Sequence, residues 1–76
     1  MPKPLPIAFG KVLREYRERA GLSQEGLANA ADLDRTFIGM LERGQRQPTL
    51  DSVFRIADAL KVAPSTLVAR TAAERQ

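Results

Sequence analysis

Residues 35–48 carry the polar side chains whose types and spacing most clearly suggest a chemistry. Three arginines, Arg35, Arg43 and Arg46, lie among glutamines and are accompanied by a single acid, Glu42. A guanidinium can donate two parallel hydrogen bonds to a phosphate, or to the O6 and N7 atoms of a guanine. This segment therefore predicts contact with a polyanion, and double-stranded DNA offers both kinds of acceptor.

The composition offers little for catalysis or metal binding. The chain has no histidine and no cysteine, so it lacks the commonest general base, the thiol nucleophile and the usual zinc ligands. Its nine acidic residues are scattered over capping and surface positions, and no glycine-rich phosphate loop occurs. We expect a binding protein rather than an enzyme, with no cofactor and no metal.

Length and charge narrow the class of protein further. A chain of 76 residues with a net charge of +3 forms one domain at most, and such a domain gains stability from good helix packing or from a partner subunit. No apolar run approaches the roughly 20 residues of a membrane helix. The proline-rich start, residues 1–6, has no signal-peptide core. We expect a cytoplasmic protein that does not bind membranes.

The hydrophobic pattern predicts an all-α fold of five short helices without strands. Residues 1–6 are expected to form an extended arm because prolines interrupt them. Residues 71–76 are expected to fray, which leaves 7–70 as the domain. The predicted helices span about 7–19, 24–31 and 35–43, followed by one that Thr49 caps and one that begins at Pro64.

Helices 2 and 3 are separated by a turn of about three residues, which is the spacing of a helix-turn-helix. Apolar anchors at Leu27, Leu33, Ile38 and Leu41 would hold the two helices against the core. The outer side of helix 3 supplies the candidate base-reading residues Arg35, Thr36, Gly39, Met40 and Arg43. The candidate phosphate contacts are Gln24, Gln45, Arg46, Gln47 and Thr49. Periodicity alone leaves open a helical protein that never touches DNA.

The stretch from Leu22-Ser23-Gln24-Glu25 to Leu41-Glu42-Arg43-Gly44 resembles the lambda-repressor-like, xenobiotic-response-element family. The resemblance covers about residues 7–70 and implies a five-helix bundle in which helices 2 and 3 read DNA. It also implies that Arg17 and Glu42 pair and orient helix 3. The run Asp34-Arg35-Thr36-Phe37-Ile38 is similar to restriction–modification controller proteins. The chain departs from the family pattern at Asp32, where glycine is usual, and at Gly39, where a polar residue is common.

The resemblance implies a transcriptional regulator that acts as a homodimer on a roughly two-fold symmetric operator, because two half-sites together give the affinity that one helix lacks. The candidate interface residues are Phe54, Val62, Leu67 and Val68, each of which could instead complete the monomer core. RNA polymerase and a cognate toxin are further candidate partners. Two alternatives stay open: an antitoxin-type autoregulator, and a helical protein-interaction adaptor or coactivator.

Overall fold

Five α-helices and no strands make up the fold in a computed structural model that describes residues 1–76. This confirms the predicted all-α architecture. The helices are α1 (Leu5–Arg19), α2 (Gln24–Ala31), α3 (Arg35–Glu42), α4 (Leu50–Leu60) and α5 (Pro64–Arg75). None of the five is long and apolar enough to cross a lipid bilayer.

Each helix contributes at least one fully buried aliphatic side chain to a single core. Burial of such side chains is the main favourable term in folding, at about 1.5–3 kcal/mol for each. α1 packs against α3 and α5, while α2 packs against α3 and α4. The core therefore fixes α3 between α1 and α2. The five side chains, one from each helix in chain order, are Leu13, Leu27, Ile38, Ile56 and Leu67.

The two ends of the chain differ from the sequence prediction. α1 begins at Leu5 rather than at residue 7, and α5 continues to Arg75 rather than fraying from residue 71. Proline is tolerated in the first turn of a helix because its missing amide has no partner there, so Pro6 does not keep the segment extended. The predicted arm 1–6 and tail 71–76 are thus shorter than expected.

Both ends of the chain are ordered because the first residues bind the end of α5. We call these contacts the clasp. The Lys3 amide donates to the Arg75 carbonyl oxygen at 2.9 Å, and the Lys3 ammonium donates to the Glu74 carboxylate. The Lys11 ammonium lies 3.1 Å from the same carboxylate. Hydrogen bonds from Lys3 and then Lys11 hold the pKa of Glu74 below its ordinary value of 4.5.

α1 crosses the C-terminal end of α3 at Gly10, where the two backbones touch. A Cβ atom added at Gly10 would lie 2.4 Å from the carbonyl oxygen of Leu41 and 2.7 Å from that of Glu42. Both atoms belong to the backbone and cannot move aside as a side chain could. Because glycine has only a hydrogen in place of a side chain, Gly10 allows α1 to approach α3 this closely.

Candidate nucleic-acid interface

The turn between α2 and α3 has the tight geometry that a helix-turn-helix needs. Ser23 caps α2, and its hydroxyl accepts a hydrogen bond from the Gly26 amide at 2.9 Å. Asp32 ends α2 with φ 56° and ψ 48°, the left-handed conformation. The Leu33 amide then donates to the Ala28 carbonyl oxygen at 2.9 Å. Aspartate is one of the few residues that adopt this conformation readily, so the turn forms without the usual glycine.

α3 is anchored on one side and open to solvent on the other. Ile38 and Leu41 are fully buried, where they join Leu27 of α2 in the core. Arg35 and Thr36 are exposed in the first turn of α3. Because the N-terminal part of a recognition helix usually meets the base edges, the open side of α3 is suited to the major groove, which is about 12 Å wide.

An internal ion pair fixes the C-terminal end of α3. Arg17 donates from Nε to Glu42 Oε2 at 2.6 Å and from Nη2 to Oε1 at 3.0 Å. Its Nη1 donates to the Leu22 carbonyl oxygen at 2.9 Å. The side chains of Arg17 and Glu42 are only 12% and 5% exposed. The hydrogen bonds to Glu42 raise the pKa of Arg17, which outweighs the opposing effect of burial.

Four of the five candidate base-reading residues are accessible on α3 or at its C-cap. Arg35, Thr36 and Arg43 are exposed, and Met40 is half-buried. Gly39 lies on the side of α3 that the prediction gives it, but it is buried rather than accessible. The reason is that the Arg43 side chain folds back over it, with Nη1 3.1 Å from the position that a Cβ of Gly39 would take.

Three of the five candidate phosphate contacts lie in the loop after α3, and the other two lie at the starts of α2 and α4. Gln45, Arg46 and Gln47 are exposed in the loop after α3. The guanidinium carbon of Arg46 lies 6.0 Å from the centroid of the Phe37 ring, at the outer limit of a cation–π contact. This loop therefore presents polar donors beside the exposed face of α3.

Gln24 and Thr49 make hydrogen bonds within the protein, and their contact with phosphate stays a prediction. Gln24 Nε2 donates to Glu42 Oε1 at 3.0 Å, so this amide belongs to the Arg17–Glu42 network. The Thr49 amide donates to Ser52 Oγ at 2.9 Å, and the Thr49 hydroxyl accepts from the Ser52 amide at 3.0 Å. Both side chains therefore also help to position helices.

The positive charges of the α3 segment are not neutralised by the protein itself. Ion pairs engage basic side chains on α1, α4 and α5 and at the chain start, including Lys3, Arg17 and Arg70. No carboxylate lies within ion-pair distance of the three arginines in residues 35–46. We refer below to Arg35, Arg43 and Arg46 as the unpaired arginines of this segment; Arg75, at the end of α5, also forms no ion pair.

The candidate dimer residues lie in two different environments. Phe54 and Val68 are 51% and 57% exposed. Val62 is half-buried against the core, and Leu67 is fully buried within it. Leu67 is therefore wrong as an interface residue, since a side chain without exposed surface cannot contact a second subunit.

An apolar groove of about 310 Å³, missed in the sequence, lies between α1, α4 and α5. Leu5, Leu50 and Val68 line it together. Leu5 and Leu50 are 43% and 73% exposed. The sequence could not separate Leu50 from the core, because Leu50 continues the apolar stripe of α4 three residues before the buried Val53.

A model of the helix-turn-helix family matches residues 13–67. The chain therefore belongs to the helix-turn-helix family, which confirms the family predicted from the motif.

Within that family the chain is similar to restriction–modification controller proteins. It is 39% identical to control protein C.BamHI from Bacillus amyloliquefaciens over 69 residues, which cover 90% of this chain and 85% of that protein. The controller protein C.AhdI from Aeromonas hydrophila is 45% identical, with a TM-score of 0.80 over 82% of this chain and 94% of the other. The controller protein C.Esp1396I, solved as a tetramer with its natural 35-base-pair operator, is 30% identical, with a TM-score of 0.84 over 95% of each chain.

Proposed function

We propose that this protein is a controller-like transcriptional regulator that binds duplex DNA sequence-specifically as a homodimer on a roughly two-fold symmetric operator. The observation that carries the proposal is the open side of α3, where Arg35 and Thr36 are exposed and the one acid of the segment, Glu42, pairs with Arg17 instead of a neighbouring arginine. The relatives support it: C.BamHI is a control protein, and C.Esp1396I has been solved on its operator. They favour this function over the antitoxin and adaptor alternatives.

Sequence is read, in this proposal, by the first turn of α3 in the major groove. The Arg35 guanidinium donates to guanine O6 and N7, and Thr36 contacts a neighbouring base edge. Arg46, Gln45 and Gln47 contact the phosphates beside the groove, which positions the protein without selecting a sequence. The Arg17–Glu42 pair keeps α3 at a fixed angle while these contacts form.

The dimer is proposed to form through the exposed apolar side chains of α4 and α5. Leu50 and Phe54 are four residues apart and therefore share one side of α4. Leu50 also lines the groove with Val68 of α5. Exposed apolar patches of this kind commonly mark protein–protein contacts. A two-fold dimer would place two copies of α3 about one helical turn of DNA apart.

The remaining parts of the proposal concern how and where the protein acts. We propose that it works by binding rather than by catalysis, without a cofactor, and in the cytoplasm. A contact with RNA polymerase belongs to the proposal where the regulator activates a promoter. Copurification of the polymerase with the protein on operator DNA, but not without it, would support that contact.

Selection of duplexes from a random pool, followed by titration at several salt concentrations, tests the proposed function. Arg35→Ala should cost about 1–3 kcal/mol at one base pair of each half-site and relax the preference there. Arg46→Ala should weaken binding to all sequences alike and reduce the slope of log affinity against log salt by about 1. Absence of duplex binding by the wild type at low salt would overturn the proposal.

A further inference from the structure

We propose that Gly39 and Arg43 form one DNA-reading unit, in which Gly39 leaves a notch that holds the Arg43 guanidinium on the base-reading side of α3. The notch is the space that a side chain at position 39 would fill. The Arg43 guanidinium then hydrogen-bonds a G·C base pair from the position that a side chain of residue 39 would otherwise occupy. This inference rests on the proposed function and adds a specificity-determining pair to it.

The geometry of a helix directs the Arg43 side chain towards Gly39. Residues four apart lie on the same face, and side chains lean towards the N-terminus of their helix. A Cβ added at Gly39 would lie 3.1 Å from Nη1 and 3.7 Å from Nη2 of Arg43. The guanidinium therefore already occupies the space of a side chain at position 39, and this is why Gly39 is buried.

The notch places the positive charge of Arg43 closer to the base-reading part of α3. The backbone of Arg43 forms the C-cap, beyond the last residue of the helix. A side chain at the end of a recognition helix usually faces the DNA backbone, whereas earlier positions face base edges. Four residues at 1.5 Å each shift the guanidinium by roughly 6 Å towards the N-terminus of α3. That shift brings it to the middle of the helix.

Two donor groups of Arg43 remain free in this position. Its Nε donates to Gln45 Oε1 at 3.1 Å, which holds the side chain in place from the far side. Nη1 and Nη2 make no hydrogen bond or ion pair within the protein. Gln24 Oε1, 3.6 Å from the same Cβ position, borders the notch. Two adjacent free donors match the O6 and N7 acceptors of guanine.

The test compares Gly39→Leu with Arg43→Ala by selection from a random duplex pool and by titration of the selected operator. Leucine fills the notch, cannot hydrogen-bond a base, and is a better helix former than glycine. Both variants should lose preference for the same G·C pair by about 5- to 150-fold, while Tm stays equal to or above that of the wild type for Gly39→Leu. The double variant should lose no more than Arg43→Ala alone.

Arg46→Ala is the control, because its effect should multiply with that of Gly39→Leu rather than overlap with it. The inference is overturned if Gly39→Leu leaves the preference intact, if the two single losses multiply in the double variant, or if Arg43→Ala weakens all sequences equally. A wild type that selects no sequence would overturn the proposed function instead, so the two failures are distinguishable.

Discussion

Glu42 accepts hydrogen bonds from two residues that come from different helices. Arg17 of α1 donates to both carboxylate oxygens, and Gln24 of α2 donates to one of them. Charge-assisted hydrogen bonds of this kind are about twice as strong as neutral ones. Glu42 thus joins the ends of three helices, and its place in the last turn of α3 makes it a positioning residue for the DNA-reading face.

Glu42→Ala should destabilise the protein strongly, because the largely covered Arg17 guanidinium would lose its partner. Removing one side of a buried ion pair typically costs about 3–5 kcal/mol. Urea unfolding gives the free energy of unfolding directly. Glu18→Ala is the matched control, since its pair with Arg14 is exposed and should contribute only about 0.3–0.5 kcal/mol. Equal losses in the two variants would contradict an orienting role.

The individual roles of α3 residues could be predicted only in part. Arg35 and Thr36 follow from the spacing of the buried Ile38 and Leu41, which leaves the first turn open. Gln24 and Gly39 could not be placed, because their surroundings depend on how side chains from elsewhere in the chain fold over them. A sequence states which residues share a helix face, but not which long side chain covers a neighbour.

The contact of α1 with α3 determines the position of the helix-turn-helix at the scale of whole helices. At Gly10 the α1 backbone lies directly against the last carbonyl groups of α3. Protein interiors are packed as densely as organic crystals, so a change of one methyl group is felt there. The approach is thus rigid, and α3 can tilt only if α1 moves with it.

Gly10→Ala should destabilise the fold even though alanine is the best helix former. The added methyl group would meet two backbone oxygens, and such overpacking typically costs about 1–3 kcal/mol. Thermal unfolding followed by circular dichroism measures the change. Gly26→Ala is the control, because its new Cβ would meet only side-chain atoms, the Ser23 hydroxyl at 3.2 Å and Leu22 at 3.6 Å, and no backbone. An unchanged or raised Tm for Gly10→Ala would refute the close contact.

Helix bounds were predictable where a local signal defines them. Ser23 marks the start of α2 and Thr49 that of α4, because their hydroxyl groups accept bonds from free amides. The start of α1 could not be predicted in this way, since prolines at residues 4 and 6 are compatible with both an extended arm and a first helical turn. Gly10 is an isolated glycine within a helical pattern, which suggests a close contact at that position. The pattern does not show that α3 is the helix in contact.

At the scale of the whole molecule, α4 and α5 leave apolar surface exposed, and the proposed dimer uses this surface. Periodicity identified Phe54 and Val68 as candidates but could not separate them from Leu67, because all belong to amphipathic helices. Only the packed fold distinguishes them. Val68 is 57% exposed, whereas Leu67, the residue before it in the chain, has no exposed surface. The interface is therefore expected on one side of these two helices.

Val68→Asp should convert the dimer to a monomer, because a charge in an apolar contact would lose its hydration. Sedimentation at micromolar concentration measures the species present, and affinity for a two-half-site operator should fall with dimerisation. Ala69→Asp introduces the same charge at the neighbouring exposed position and should change dimerisation less. A wild type that sediments as a monomer would exclude the proposed homodimer.

The clasp between the chain ends makes stability depend on pH through Glu74. Its pKa in the folded protein lies below 4.5, so its contribution is present above that pH and is lost as the pH falls through the folded-state pKa. Glu74→Gln should therefore lower Tm at neutral pH, and the difference from the wild type should vanish in strong acid. Glu25→Gln is the control, because it removes no ion pair. The difference in Tm between this variant and the wild type should not vanish with falling pH in the same way.

The unpaired arginines have a consequence for how the protein finds its target. Phosphates have the same charge at every base pair, so Arg35, Arg43 and Arg46 attract any stretch of duplex before a sequence is read. If the proposed contacts form, we expect the protein to bind ordinary chromosomal DNA without sequence preference and to reach its operator by sliding or hopping along the duplex. The concentration of free protein would then depend on the total length of DNA rather than on the number of operators.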